Sequence, residues 1–419
     1  MLIDTKFLSD NLAEYKAALK KRGSKINLDE LISLGEKRKS LLIESEKLRH
    51  ERNQLSSALK EKPTEQVIQK GRELKEKIQG LEEELAKIEP LISEQLMTVP
   101  NLIHADSPLG PEENKKTLRT QVEPPKFDFT PLDHEQIGTQ LDLIDFERGA
   151  KVTGSKFYFL KNEAVLLEFA LVNFALSKLT KLGFVPVITP EMIKDDILKG
   201  MGFAPRGPET QMYGIENTDL SLIGTAEHTL GGMHAQEAFN SKDLPRKYVG
   251  FSSCFRTEAG GYGKFSKGLY RVHQFDKVEM FIYCKPTESE KMHQELLSIE
   301  EEIWNDLEIP YRVVDLSTED LGAASYRTYD IEAWMPGRDG GSYGEVTSTS
   351  NTTDYQSRRL NIRYKDNDKL DFVHMLNGTA LAISRALVVI LENNQQKDGS
   401  ILMPKSLHKY LPFELIKPR

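Results

Sequence analysis

The chain has 419 residues, 39% of them apolar and 29% charged, with Lys plus Arg at 56 against Asp plus Glu at 64 and a formal net charge of −8. That length allows two or three domains and a large core, and the acidic balance excludes a uniformly basic nucleic-acid coat while leaving room for a local basic stripe. Two cysteines, Cys254 and Cys284, can build neither a disulfide framework nor a cysteine-rich zinc site. The best apolar run, 164–176, is broken by Glu168 and Asn173 and falls short of the ~20 residues of a membrane span. The N-terminal residues carry early acids and no apolar or Arg-rich leader, so the expected compartment is the reducing cytoplasm.

Phe7, Leu8, Leu12, Tyr15 and Leu19 predict one short helix over 5–22. The stretch 28–95 is rich in Lys, Glu, Leu, Gln and Arg. Leu34, Leu41, Leu48 and Leu55 recur every seven residues, and Val67, Gly71, Leu74, Ile78, Leu81, Leu85, Ile88 and Ile92 alternate steps of 4 and 3. Such spacing keeps one stripe facing a partner helix. Residues 60–65 interrupt both repeats; Pro63 cannot continue a helix and Thr64 can cap the next. Two helices in an antiparallel coiled coil are predicted, an arm of about 45 Å at ~1.5 Å per residue. Arg38, Ser45 and Arg52 occupy seam positions, so loose local packing is expected there. The arm reads either as a solvated linking or dimerising pair, or as a grip in which Arg38, Lys39, Lys47, Arg49, Arg52 and Lys60 hold a polyanion by its phosphates.

Pro100, Pro108, Pro111, Pro124 and Pro125 predict a connector. Beyond it the pattern is mixed: helices over 164–182 and 292–307, and strands over 247–255, 270–275, 278–284, 311–315, 329–334 and 345–350. Strands and helices rarely alternate one for one, which favours an α+β domain on an antiparallel sheet. No GxxxxGK[ST] or helix-opening GxGxxG occurs, so a nucleotide would be held in another way.

Four clusters carry chemistry, and each has a plain structural reading beside the functional one. In FRTEAGG (255–261), Arg256 closes a strand beside a Gly-rich basic loop with Gly263, Lys264 and Lys267, either to fork onto a phosphate or to pair with a nearby Glu. Arg385 lies in the apolar run 381–391 and needs either a buried acid or an anionic ligand. GTAE (224–227), with Glu279 further on, suits a ligand bearing an amine and an alcohol, or is a helix capped by Thr225. In EVTSTSN (345–351), a carboxylate and hydroxyls can hold Mg²⁺ with its phosphates, or the run is an edge strand.

Taken together and in this order behind the arm, the clusters resemble the seryl-tRNA synthetases, a class II aminoacyl-tRNA synthetase family. FRTEAG (255–260) with GLYRVHQFDKVEMF (268–281) is similar to the second class II signature, LNGTALAISRAL (376–387) to the third, and GFVPVITPEM (183–192) to the first. GTAE (224–227) is similar to the family's serine-binding stretch and VPNLIH (99–104) to its segment after the arm. The resemblance covers essentially the whole chain. It implies a six- or seven-stranded antiparallel sheet flanked by helices and fused to the coiled coil. The implied domains are 1–104 for tRNA binding, a linker at 105–126 and a catalytic domain at 127–419.

The implied reaction joins L-serine and ATP to seryl-adenylate, then transfers the seryl group to the 3′ end of tRNA-Ser; members commonly charge tRNA-Sec as well, which the sequence leaves open. By position, Arg256 is implied to bind the α-phosphate, Thr257 and Glu258 the nucleotide, Phe275 and Val272 the adenine. Glu345, Val346, Thr347 and Ser348 would line the ATP site, with Glu345 and Ser348 holding Mg²⁺, and Arg385 would clamp the γ-phosphate. Thr225, Ala226, Glu227, Glu279, Asn377 and Thr379 would form the serine pocket, with Arg256 near the carboxylate. Catalysis would then be positioning and charge neutralisation, without a side-chain acid or base.

The implied partners are tRNA-Ser on the arm and a second copy in a homodimer, with no membrane and no organic cofactor. Thr379 departs from the Ser that many members carry, and two cysteines disfavour the zinc-dependent variant. Two alternatives remain at this stage: an amino acid:carrier-protein ligase, whose relatives lack a long arm, and a non-catalytic coiled-coil scaffold.

Overall fold

The computed structural model describes residues 4–57, 64–205, 210–258 and 267–419. The predicted turn at Pro63, the arm's Lys60 and the loop residues Ala259–Gly261, Gly263 and Lys264 lie outside the described residues. The chain divides into two compact units, Met1–Leu102 and Ile103–Arg419.

In the first unit the helix expected over 5–22 is two helices, α1 (Thr5–Asp10) and α2 (Leu12–Lys21). The break is at Asn11, whose side-chain amide donates to the Phe7 carbonyl at 2.8 Å, the local competition that makes Asn a poor interior helix residue. The arm is α3 (Leu28–Ser57) and α4 (Glu65–Thr98). Thr64 stands at the N-cap position of α4 without a side-chain capping bond. Helix α4 runs through Pro90 to Thr98. Its seam is as the heptads require: Leu74, Ile78, Leu85, Ile88 and Ile92 are buried, as are Leu41 and Ser45 of α3. Ion pairs in opposite chain order fix the antiparallel sense: Arg38–Glu89 at 2.8 Å, Arg49–Glu82 at 2.7 Å and Glu51–Lys70 at 2.9 Å. Arg38 and Arg49, which one of the two readings of the arm made phosphate-gripping cations, face acids of the other helix, while Lys39 and Lys47 are exposed.

The second unit is built on an eight-stranded sheet. In chain order its strands are β1 (Lys116–Gln121), β2 (Val185–Ile188), β3 (Arg246–Phe255), β4 (Gln274–Cys284), β5 (Tyr311–Asp315), β6 (Arg327–Met335), β7 (Ser342–Asn351) and β8 (His374–Ala382). Their spatial order is β1-β5-β6-β7-β8-β4-β3-β2. All neighbours are antiparallel except β2 and β3. The sheet thus exceeds the implied six or seven strands. Part of the difference is β1, which lies in the stretch 105–126 expected to be a connector and pairs with β5. All six of its residues are exposed, so it carries no apolar alternation by which a sequence reading finds strands. The strands predicted over 270–275 and 278–284 are one strand, β4, preceded by a 3₁₀ turn at Gly268–Tyr270.

One sheet face is the core. Val278, Met280 and Ile282 of β4 pack there with Leu296 and Trp304 of a long helix over Ser289–Asp306, Leu167 and Leu171 of the helix Glu163–Lys181, and Leu387 and Val389 of the helix Ile383–Asn393. Helix Glu163–Lys181 is largely buried, as its near-continuous apolar sequence requires. Among the described residues no helix is long and apolar enough to cross a membrane.

Candidate active site

The other sheet face carries the chemistry, and strand alternation explains which residues reach it. On β4, Phe275, Lys277 and Glu279 are two apart and share a face. Thr379 of β8 pairs with Glu279, Asn377 follows two residues back, and Ser350 of β7 pairs with Asn377, which places Ser348 on the same face. Glu345 is three residues from Ser348 and in a regular strand would point the other way. The β6–β7 register runs Ile331↔Thr347 and then Glu332↔Glu345, skipping Val346. This bulge turns Glu345 onto the face of Ser348.

A cavity open to solvent lies on that face. Arg256, Glu258, Val272, Phe275, Glu345, Val346, Thr347, Ser348, Thr379 and Arg385 all line it. Arg256 sits just beyond β3; its Nε donates to the Gly224 carbonyl at 3.2 Å and its guanidinium stands 5.3 Å from the Phe275 ring centroid. The carboxylate partner that a plain hairpin would give Arg256 belongs instead to Arg271, which donates to Glu258 at 2.7 Å. Arg385 lies in the first turn of its helix rather than inside it. It donates to the Glu345 carboxylate at 2.8 Å and to the Glu345 carbonyl at 3.1 Å, and packs 4.8 Å from the Tyr270 ring centroid. Burial opposes ionisation of Glu345, yet the Arg385 guanidinium holds its carboxyl below the ordinary carboxylate range.

Beside this cavity is a smaller polar corner. Thr225 caps the helix Ala226–Gly232 by accepting the Glu227 N–H at 3.1 Å, so the capping reading is met without removing the residue from the site. Glu227 accepts from Gln356 at 3.0 Å. Burial, reinforced by the neighbouring Glu279 carboxylate, pushes its pKa up to about 7. Glu279, 1% exposed, accepts from Thr379 Oγ1 at 2.9 Å and from Lys277 Nζ at 2.6 Å. His228, in the same helix as Glu227, is buried, and burial followed by the charge of Lys277 lowers its pKa to about 3. The corner therefore offers two carboxylates and a hydroxyl beside two cations, Lys277 and Arg256: a donor and acceptor set for a small zwitterion with one further polar group.

Profiles of known families match both units. That of the seryl-tRNA synthetase N-terminal domain matches residues 2–103, and that of the class II tRNA synthetase core domain (G, H, P, S and T) matches residues 212–394. The serine–tRNA ligase of Treponema denticola is 52% identical, with 99% of this chain and 100% of the relative covered. That of Rubrobacter xylanophilus is 50% identical over 100% of this chain and 99% of the relative. The chain belongs to the seryl-tRNA synthetase family. Among solved structures, the seryl-tRNA synthetase of Pyrococcus horikoshii complexed with ATP superposes with a TM-score of 0.89 at 42% identity, covering all of both chains. The cytoplasmic serine–tRNA ligase of Naegleria fowleri in complex with AMP gives 0.85 at 31% identity, covering 100% of this chain and 99% of the other. This family membership makes the chain an aminoacyl-tRNA ligase with a class II core, and the coiled-coil arm and antiparallel-rich sheet are those of the family.

Two residues expected at the nucleotide site have their side chains engaged elsewhere. The Thr257 hydroxyl donates to the Thr210 carbonyl at 2.7 Å. The Thr347 hydroxyl, on the core face, accepts the Trp304 indole N–H at 3.1 Å. Ala226 and Asn377 are buried close by, within the capped helix and on β8. Sequence reasoning missed Tyr270, Arg271 and Lys277, which also line the cavity. All three lie within GLYRVHQFDKVEMF (268–281), and Lys277 was findable: it is the one charged residue between Phe275 and Glu279 at strand spacing.

Proposed function

We propose that this chain ligates L-serine to tRNA-Ser in two steps, and that the cavity is the adenylation site. The observation that carries the reading is the meeting of Arg256, Phe275, Glu345, Ser348 and Arg385 in one groove, with Glu227, Glu279 and Thr379 at its end. ATP is the nucleotide. Its adenine stacks on Phe275 beside Val272, Arg256 faces the α-phosphate, Thr257 and Glu258 border the nucleotide, and Arg385 takes the γ-phosphate.

The serine ammonium rests on Glu227 with Thr225, and the serine hydroxyl exchanges into the bond between Thr379 and Glu279, with Ala226 and Asn377 closing the pocket. The serine carboxylate attacks the α-phosphorus in line, pyrophosphate leaves, and the two arginines neutralise charge on the phosphoryl oxygens. No side chain needs to act as nucleophile, acid or base. The Glu345 carboxylate and Ser348 hydroxyl are hard oxygen donors on one face and fit Mg²⁺, which when bound adds positive charge to the same phosphates. Alanine is rejected because it would leave the polar groups of the pocket unpaired, threonine by the added methyl of Thr379 and the lack of room.

The 1–104 region is the tRNA-binding domain, and its arm reads the shape and backbone of tRNA-Ser. The arm's exposed ion pairs are weak enough to open to phosphates. The functional unit is a homodimer. Supporting this, Phe169 is 58% exposed on the helix Glu163–Lys181, and Val185 and Ile188 on edge strand β2 are 54% and 84% exposed, an apolar margin that suits a second copy. The cytoplasm fits two free buried thiols. The arm disfavours a carrier-protein ligase, and the assembled groove disfavours a scaffold. Exchange of labelled pyrophosphate into ATP should require serine, with threonine and alanine giving little; equal exchange with alanine would reject the hydroxyl-reading pocket.

A further inference from the structure

Outside the cavity, a buried joint connects three segments that are distant in sequence. His134 is 1% exposed and Glu392 2% exposed. His134 opens the helix His134–Gln140, Glu392 lies in the last turn of the helix Ile383–Asn393 that carries Arg385, and the third segment is the return limb Lys267–Tyr270. The Leu269 N–H donates to His134 Nε2 at 3.1 Å. The ring proton therefore sits on Nδ1, which donates to Glu392 Oε1 at 2.7 Å. The His134 backbone N–H donates to the same oxygen at 3.1 Å, and the Gly337 N–H to Glu392 Oε2 at 2.9 Å. Gly268 must be glycine here: its φ is +55°, and a Cβ would stand 2.1 Å from His134 Nε2. Next to the joint, Lys267 pairs with Asp133, the capping residue of the His134 helix, and lies 3.6 Å from Glu135.

The limb held this way leads directly into the groove. Tyr270 donates its hydroxyl to the Glu345 carbonyl at 2.9 Å and lies under Arg385. Arg271 pairs with Glu258, and Val272 and Phe275 follow. The helix that presents Arg385 at its first turn carries Glu392 at its last. One rigid rod thus fixes both the γ-phosphate clamp and, through His134, the limb that carries the adenine platform.

We propose that His134, with Glu392, is a positioning residue for nucleotide binding: it touches no substrate, and it sets the position of Tyr270, Val272 and Phe275 through the Leu269 N–H. This rests on the reading of the groove as an ATP site. The two edges of the imidazole can be separated. The Asn side-chain amide overlays the Nδ1 edge and keeps a donor for Glu392, whereas Gln reaches the Nε2 position and keeps an acceptor for Leu269.

The test is serine-dependent pyrophosphate exchange by the full-length wild type and the variants His134→Asn, His134→Gln and His134→Ala, with KM measured separately for ATP and serine. A direct titration with a non-hydrolysable ATP analogue accompanies it. Loss of the acceptor strands a buried N–H, so His134→Asn and His134→Ala should raise KM for ATP and the analogue Kd by about tenfold, with KM for serine changed less than about twofold. His134→Gln should stay within about threefold of wild type for ATP. The proposal is overturned if His134→Asn binds nucleotide as wild type does, if Gln and Asn fail alike, or if KM for serine rises as much as KM for ATP. If Ala does not fold, the contrast between Asn and Gln still decides. A wild type without serine-dependent exchange would instead break the proposed function, and the analogue titration would still read the joint.

Discussion

The arm and the groove use the same residue types under opposite conditions. On the arm, Arg38 and Arg49 meet Glu89 and Glu82 with both partners of each pair 44–52% exposed, where water screens them and the pair contributes little. In the groove, the side chains of Lys277 and Glu279 are 6% and 2% exposed and lie 2.6 Å apart, where either charge alone would be costly. The difference teaches how to read an Arg or a Lys in this chain. On the arm, a charge is held loosely and can be given to another anion. Under the sheet face it is committed, and removing it disturbs what surrounds it.

The sharpest break between the two regions is Arg256→Ala. Removing the guanidinium should lower serine-dependent pyrophosphate exchange by about a thousandfold, and near-normal exchange would reject its phosphate role. Deleting 28–95 makes the reciprocal cut. Exchange should survive, while seryl transfer to tRNA-Ser falls by about a hundredfold as the phosphate contacts are lost; unharmed transfer would show that the arm does not read tRNA.

Third, Glu227 links the groove to pH. Its pKa stands near 7, so below that value it is protonated and would not balance a serine ammonium placed there as proposed. The kcat/KM for serine should therefore rise by about tenfold per pH unit up to about 7 and then level off. Glu227→Gln should flatten the limb; an unchanged profile in that variant would assign it to another group. The smallest effects come from a stability comparison by urea unfolding. Lys277→Met should cost about 3 kcal/mol by stranding the Glu279 charge, Arg49→Ala less than about 1 kcal/mol. Equal losses would end the contrast.

How much was legible in the sequence follows from which interactions are local. The arm was readable because a coiled-coil seam is periodic: the seven apolar seam residues from Val67 to Ile92 are all fully or partly buried in α4. The strand β5 was readable as a short β-branched run, with predicted and observed bounds alike at Tyr311–Asp315. Asn11 broke a helix that apolar spacing predicted whole, and β1 was invisible because an edge strand with six exposed residues needs only a partner's backbone. In the site, Phe275 and Glu279 could be placed on one face by counting in twos. Glu345 and Ser348 could not, because a spacing of three contradicts strand alternation until the bulge at Val346 is known.

By itself the sequence determined the periodic stripes, the family resemblance and the set of charged and hydroxyl residues available to a nucleotide and a small amino acid. Those are properties of residue identity and of spacing along one segment. Only the tertiary structure decided which charges are committed: that Arg271 rather than Arg256 takes Glu258, that Lys277 sits against Glu279, and that His134 meets Glu392 and Leu269 across 258 and 135 positions of chain. These partnerships are set by the register of eight strands and by where each helix ends over them, and the low dielectric between the layers is what makes each one matter.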